Sequence, residues 1–182
     1  MSELFSIQLQ NRQQQGGDGV WLDLPTTTER VQAALRQIGI SSDNPQGLFI
    51  SGYFAEEEKR FAIPYNMVLA SNVDELNFLA SRLETLSTGE RAELNAALQA
   101  PQSELFSIGR ITDFPENVDY YVHLPDVHGP AQLGDYYLNR SGMVDMPEEW
   151  KGGIDTAQFG RYVAQQEQGV FTEYGYLVKS GD

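Results

Sequence analysis

His123, Asp126 and His128 stand within six residues of one another and are the side chains in this sequence best spaced to bind a metal ion. Two imidazoles and a carboxylate together could bind zinc or a similar cation. Their spacing matches no established metal motif, however, and Pro125 and Gly129 indicate an ordinary loop. We therefore interpret the two histidines as surface residues and expect no metal site.

The carboxylate pair Glu148 and Glu149 is the second candidate for chemistry, as a general acid and base. Adjacent residues on a helix or strand point in different directions, so this spacing does not direct both groups at one substrate. Pro147 before them is typical of a helix start, where acidic side chains are favoured by the helix dipole. The sequence contains no cysteine, phosphate-binding loop, nucleophile elbow or dinucleotide fingerprint. We therefore predict that the protein is not an enzyme.

Carboxylates are in large excess, with 26 Asp and Glu against 12 Lys and Arg, a formal net charge of -14 and a pI near 4.4. Residues 1–91 contain 12 acids and 7 bases (-5), and residues 92–182 contain 14 and 5 (-9), which together give -14. The charge is spread along the chain, which indicates folded surface rather than an acidic tail. Such a surface repels nucleic acid and suits a basic partner, although many proteins are acidic for solubility alone.

Length and composition favour a folded protein with a substantial core, because 41% of the 182 residues are apolar. No apolar run approaches the roughly eighteen residues of a membrane span, and the N-terminus shows no signal-peptide pattern. We expect a cytoplasmic protein that contacts no membrane.

The elements that position these side chains are predicted to form an α+β fold of three small modules. Residues 1–66 read as a small sheet with one helix. The helix begins at Thr26, which forms a capping box with Glu29, and it ends at Gly39. Period-two alternation or short apolar runs predict the strands, at residues 4–9, 20–24, 48–50 and 61–63.

Residues 67–102 predict a helical hairpin, with one helix opened by Asn72 and Glu75 and the next by Ser87 and Glu90. A DNA-reading helix-turn-helix needs cationic and amide side chains on its second helix, and residues 90–100 offer one arginine and two glutamates. The hairpin is therefore not interpreted as a DNA-binding motif.

Residues 103–182 predict a mixed α and β module, in which Asp155 with Gln158 caps a helix and Gly142 and Gly175 end a helix and turn a hairpin. The module opens with Ser-Glu-Leu-Phe-Ser-Ile at 103–108, which repeats residues 2–7. Because six residues take their secondary structure from context, we interpret the repeat as a coincidence or a faded duplication.

Several segments, in this order, resemble the ArdA antirestriction family. They are Gly19-Val20-Trp21-Leu22-Asp23-Leu24-Pro25, Val73-Asp74-Glu75-Leu76-Asn77, Tyr136-Tyr137, Ser141-Gly142, Met146-Pro147-Glu148-Glu149-Trp150, Ile154-Asp155 and Phe159-Gly160-Arg161. The resemblance implies an elongated, dimeric inhibitor of three small domains that needs no cofactor. It implies that the protein imitates bent DNA in the groove of a type I restriction-modification enzyme, formed by methyltransferase and specificity subunits. It also implies that the dimer contact lies near residues 141–161.

Charge arithmetic shows what DNA mimicry would require. Duplex DNA about 40 Å long, the width of a compact chain of this length, carries about 24 phosphates. A net charge of -14 falls short, so the carboxylates must be concentrated on one face. Residues 104–149 are the best local source, and Asp155 lies just beyond them. We call these candidate carboxylates the acidic face: Glu104, Asp113, Glu116, Asp119, Asp126, Asp135, Asp145, Glu148, Glu149 and Asp155.

The apolar residues Met143, Val144 and Met146 stand together in a polar segment bounded by glycine, and they predict a dimer contact. Packing in the protein's own core is the alternative. For function, the alternative is an acidic interaction or regulatory module of a mobile element that binds another basic, DNA-binding protein. The sequence leaves open which restriction system is inhibited, whether methylation is also blocked, and how curved the dimer is.

Overall fold

The computed structural model describes residues 3–14, 16–41, 43, 45–117 and 120–180. Their contacts divide the chain into two compact units, the first made of residues 1–87 and 105–115, the second of residues 88–104 and 116–182. Both contain helices, and each contains a three-stranded sheet, so the fold is α+β as predicted. The division into three modules stays a prediction.

The strands are β1 (Phe5–Asn11), β2 (Val20–Leu24), β3 (Leu48–Phe54), β4 (Tyr121–Leu124), β5 (Val170–Thr172) and β6 (Gly175–Lys179). The helices are α1 (Thr28–Gln37), α2 (Tyr65–Leu69), α3 (Val73–Glu84), α4 (Thr88–Gln99), α5 (Ile108–Thr112), α6 (Pro130–Asp135), α7 (Glu148–Lys151) and α8 (Thr156–Glu167). Within the described ranges no helix is long and apolar enough to cross a membrane.

The sheet of the first unit has the antiparallel order β2-β1-β3. Alternate residues of β1 point to opposite faces, which places Ile7 and Leu9 in the core, where neither side chain is exposed. Leu22 and Leu24 of β2 join them on the same side. The other face of this sheet remains partly open to solvent, because Trp21 on β2 is exposed.

Helix α1 begins one residue later than the sequence predicted. Its N-cap is Thr27, whose hydroxyl accepts from the Arg30 N–H at 3.4 Å, while the backbone of Thr26 pairs with the side chain of Asn77. The predicted end is confirmed, since Gly39 has a φ of 70°, a left-handed conformation that glycine adopts without strain.

The strand predicted at residues 61–63 is wrong. Phe61 and Ile63 are buried, so the short apolar run correctly indicates side chains that enter the core, but the segment lies in no sheet. Pro64 follows, and the unpredicted helix α2 begins directly after it. A short apolar run indicates burial, and it does not by itself establish that the segment pairs with a neighbouring strand.

Helix α3 begins where its capping signal predicts, because the Asn72 side chain accepts from the Glu75 N–H at 2.9 Å. Its buried face packs against α5 and β2 in the first unit. Helix α4, by contrast, packs against β6 in the second unit, with Leu94 fully buried. The two helices predicted as one hairpin therefore belong to different compact units.

In the second unit the sheet has the antiparallel order β4-β6-β5, and the final hairpin turns at Gly175 as predicted. Helices α6 and α8 pack closely together beside it. Val127, Leu133 and Tyr176 form the buried centre of the hydrophobic cluster that joins these elements.

The repeated hexapeptide adopts two different structures. In its first copy Phe5, Ser6 and Ile7 lie in a strand, whereas in its second copy Phe106 is exposed outside any regular element and Ile108 begins a helix. Identical residues thus fold according to their surroundings, as expected for so short a segment.

Candidate partner-binding surface

The acidic face predicted from the sequence lies largely on the surface. Asp135 is half-buried, Asp119 falls outside the described residues, and the other eight carboxylates are exposed. Asp113 belongs to the first unit, and the remaining described members belong to the second. The exposed ones are Glu104, Asp113, Glu116, Asp126, Asp145, Glu148, Glu149 and Asp155.

Short elements in the second unit set the positions of several of these carboxylates. Glu148 and Glu149 lie in the first turn of α7, directly after Pro147, as the sequence predicts for a helix start. Asp155 caps α8, accepting from the Gln158 N–H at 3.0 Å, so its charge also stabilises that helix.

Asp135, Glu148 and Glu104 of the acidic face each have a cationic neighbour. Asp135 lies 3.4 Å from the Arg140 guanidinium and accepts from the Asn139 amide at 2.8 Å. The corresponding distances are 2.7 Å for Glu148 with Lys151 and 4.0 Å for Glu104 with Lys179. These are surface pairs, which contribute little to stability but reduce the net charge that a partner meets.

Asp126, Asp145 and Glu149 differ from these three. Within the described part of the chain, none of their side chains has a hydrogen bond or ion pair, and all are exposed. They therefore present an unpaired charge to solvent.

The predicted dimer segment follows the π-helical turn Tyr136–Arg140, and Gly142 reverses the chain there with a φ of 70°. Met143 is 76% exposed, so its side chain is not part of the core, while Val144 and Met146 are half-buried. The backbone of Met143 is fixed by its N–H, which donates to the Ser141 hydroxyl at 3.1 Å. The segment thus holds one strongly exposed apolar side chain in a defined place.

The close crossing of α6 and α8 in the second unit was not predicted. A Cβ atom at Gly134 would overlap the carbonyl of Thr156, and one at Gly160 would overlap the carbonyl of Pro130. Helices α6 and α8 can approach this closely only because both positions are glycine. Glycine is unfavourable inside a helix, so Gly134 and Gly160 were the available signals in the sequence.

A second unpredicted feature is the carboxylate of Glu167, which accepts hydrogen bonds from the hydroxyls of Tyr137 and Tyr176. The Tyr176 bond measures 3.0 Å. Burial, and then the bond to Glu167, raises the pKa of both tyrosines above its ordinary value. Neutral hydroxyls therefore link α8 to β6 and to the π-helical turn. No local sequence pattern predicts this cluster of Tyr137, Glu167 and Tyr176.

The two histidines differ in their burial and contacts. His123 on β4 is half-buried rather than on the surface as predicted, and its ring Nε2 lies 2.6 Å from the Tyr174 carbonyl in the turn between β5 and β6. His128 is exposed as predicted, and its backbone N–H donates to the Gln132 side chain. Among the residues that the structure describes, no three histidine or carboxylate side chains are grouped so as to hold a metal ion.

Comparison with known protein families finds a match over most of the chain. The family model described as antirestriction protein (ArdA) matches residues 16–178 of the 182. A comparison with curated proteins finds no match. The matched range includes the acidic face, the exposed Met143 segment and the crossing of α6 with α8.

Proposed function

The chain belongs to the ArdA antirestriction protein family, and we propose that it inhibits a type I restriction-modification enzyme by imitating DNA. In this proposal the acidic face occupies the groove formed by the methyltransferase and specificity subunits, where the enzyme otherwise holds its DNA. The protein acts by occupancy and needs neither cofactor nor catalytic residue. It contacts no nucleic acid itself.

The exposure of the acidic face is the observation that carries the proposal. A DNA mimic must present its carboxylates to solvent in the way that duplex DNA presents phosphates, and eight of the nine described members are exposed. The charge balance of the second unit supports the same conclusion, because residues 88–104 and 116–182 contain 14 acids and 5 bases, a net charge of -9.

A cationic protein groove provides the energetic reason for such binding. Its lysines and arginines hold counter-ions that are released when carboxylates replace them, so binding is strong at low salt and weakens as salt is added. Attraction between the acidic protein and the cationic groove also accelerates their association, because it acts over long distances. Competition with DNA follows directly, since both ligands require the same cations.

We further propose that the active form is a homodimer joined near Met143, Val144 and Met146. An exposed methionine side chain is flexible and polarisable, which suits it to an apolar contact between two copies of a chain. Doubling the acidic face would also lengthen the stretch of DNA that the inhibitor imitates.

A competition assay tests the proposed function. Purified protein is titrated against a type I methyltransferase bound to labelled duplex DNA, at about 50 and 200 mM salt. We expect displacement that is tight at the lower concentration and much weaker at the higher one. Displacement that is independent of salt contradicts DNA mimicry. Absence of displacement by folded protein would instead favour a different basic partner.

A further inference from the structure

Trp21 and Asp23 lie on the open face of the first sheet, outside the acidic face. They alternate along β2 with Leu22 and Leu24, which point into the core. Core packing therefore explains the two leucines, whereas Trp21 remains 50% exposed and Asp23 is exposed. Exposed tryptophan is uncommon on the surface of a protein and is enriched where partners bind.

The indole of Trp21 extends across the sheet. In register, Trp21 lies opposite Gln8 on the middle strand, and Gln8 lies opposite Gly52 on β3. A Cβ at Gly52 would lie 3.0 Å from Trp21 Cη2, so the ring extends across the middle strand as far as β3. Gln8 is fixed beneath it, donating to the Asp18 carbonyl at 2.9 Å and accepting from the Ser51 hydroxyl at 3.0 Å. The indole thus contacts the sheet, while about half of the Trp21 surface remains open to solvent.

The Asp23 carboxylate lies on the same face of β2 as this ring. Its Oδ1 accepts from the Ser6 hydroxyl at 2.6 Å, which leaves the second oxygen for a partner. Asp23 lies two residues from Trp21 on the same face of β2, so the two Cα atoms are about 7 Å apart. A planar aromatic surface and a carboxylate at this separation match the two binding modes of a guanidinium, which stacks on aromatic rings and pairs with carboxylates.

The same face of the sheet already holds one guanidinium on an aromatic ring. Phe49 is paired with Gln10 and therefore shares its face with Gln8, and Arg12 lies 5.1 Å from the centre of the Phe49 ring. In the described part of the chain, no cation lies over Trp21. The face is thus suited to arginine, and the ring of Trp21 is still open to one.

We infer that Trp21 and Asp23 together receive an arginine side chain from a basic protein partner. The guanidinium stacks on the outer face of the indole and pairs with the Asp23 carboxylate. A net charge of -14 attracts such a partner electrostatically. Where the partner is a restriction-modification enzyme, this inference rests on the proposed function, and it adds a contact made by the first unit.

Binding to a type I methyltransferase tests the contact with Trp21→Ala, Asp23→Asn and the double variant. Phe78→Ala is the matched control, because Phe78 is 61% exposed on α3 of the same unit. We expect Trp21→Ala to raise the Kd roughly tenfold. The double variant should raise the Kd by less than the product of the two single fold-changes, because both side chains bind the same guanidinium. Phe78→Ala should bind as the unaltered protein does. If Trp21→Ala binds like Phe78→Ala, the inference is overturned while the proposed function stands.

A second measurement does not depend on any restriction enzyme. Trp21 and Trp150 are the two tryptophans, so Trp150→Phe leaves Trp21 as the only indole reporter. A tetra-arginine peptide and a tetra-lysine peptide are titrated separately while Trp21 fluorescence is followed at low salt. We expect the arginine peptide to change the emission more than the lysine peptide, and Asp23→Asn to reduce that change. Emission unaffected by the arginine peptide overturns the inference even if wild-type protein inhibits the enzyme, and absent inhibition by wild-type protein counts against the proposed function alone.

Discussion

The side chain of Asn77 pairs with the backbone of Thr26 through both edges of its amide. Its Oδ1 accepts from the Thr26 N–H at 2.7 Å, and its Nδ2 donates to the Thr26 carbonyl at 3.0 Å. The two residues are 51 positions apart, so this pair joins the middle of α3 to the segment that follows β2. Asn77 ends one of the segments by which the chain resembles its family, and Thr26 directly follows another.

Replacing Asn77 should therefore destabilise the first unit. Asn77→Ala leaves a partly buried N–H and carbonyl of Thr26 without their partners, and we expect the free energy of unfolding to fall by about 1–3 kcal/mol. Urea unfolding measures the loss. Asn66→Ala, at an exposed position of α2, should change stability by less than about 0.5 kcal/mol. Equal effects of the two substitutions would contradict a structural role for the paired amide.

Adding a methyl group where α6 crosses α8 should destabilise the protein, whereas adding one to a helix with open space beside it should not. Gly134→Ala and Gly160→Ala each place a Cβ on a backbone carbonyl that cannot move aside, and we expect a loss of at least about 1–3 kcal/mol. Gly109→Ala in α5 meets nothing within 4 Å and should be neutral or stabilise by up to about 1 kcal/mol. Thermal unfolding followed by circular dichroism compares them. A Gly134→Ala protein that melts like the unaltered chain would argue against the close crossing.

We expect the protein to lose stability at alkaline pH because of Tyr137 and Tyr176, whose hydroxyls donate to Glu167. Burial and then the bond to Glu167 raise the pKa of Tyr137 and Tyr176, so the neutral hydroxyl favours the folded state. This stabilisation is complete below about pH 10, the ordinary tyrosine value, and is lost as the pH rises above it. Urea unfolding at pH 8 and above pH 10 measures the decline. Tyr176→Phe should reduce it, and Tyr162→Phe, at an exposed position, should not. A decline unaltered by Tyr176→Phe would exclude this cause.

Local signals in the sequence predicted the elements whose causes are local. Asn72 and Asp155 each cap the helix that the spacing to Glu75 and Gln158 indicates, because a cap needs only four consecutive residues. The acidic face could be predicted as surface for a similar reason, since a charged side chain without a partner remains in water. Membership of the ArdA family also followed from short segments in the right order.

Features that depend on distant residues were not predicted. The cluster of Tyr137, Glu167 and Tyr176 joins residues 30 and 9 positions apart, and no single segment reveals it. The false strand at residues 61–63 has the same origin, since a strand requires a neighbour that the local pattern does not specify. Likewise, the capping signal at Thr26 could not show that Asn77 holds this residue.

Carboxylates without a partner should contribute more to inhibition than equally charged residues elsewhere. Asp145→Asn with Glu149→Gln removes two exposed charges of the acidic face, and we expect inhibition of a type I enzyme to weaken roughly tenfold at low salt. Glu57→Gln with Glu58→Gln removes the same charge from the first unit and is the matched control. The difference should diminish at high salt, because screening weakens every such contact. Equal weakening by both double variants would show that net charge, rather than the acidic face, determines binding.

The dimer contact can be tested by placing a charge in the apolar segment. Val144→Glu and Met143→Glu should each shift the protein from dimer to monomer, because burying an unpaired carboxylate in an apolar contact costs several kcal/mol. Sedimentation equilibrium across a range of concentrations measures the mass. Phe78→Glu introduces the same charge at an exposed apolar position of the first unit and should leave the mass unchanged. Since Met143 is 76% exposed, its substitution should not unfold the chain, so an unaltered dimer of Met143→Glu would remove this segment from the interface.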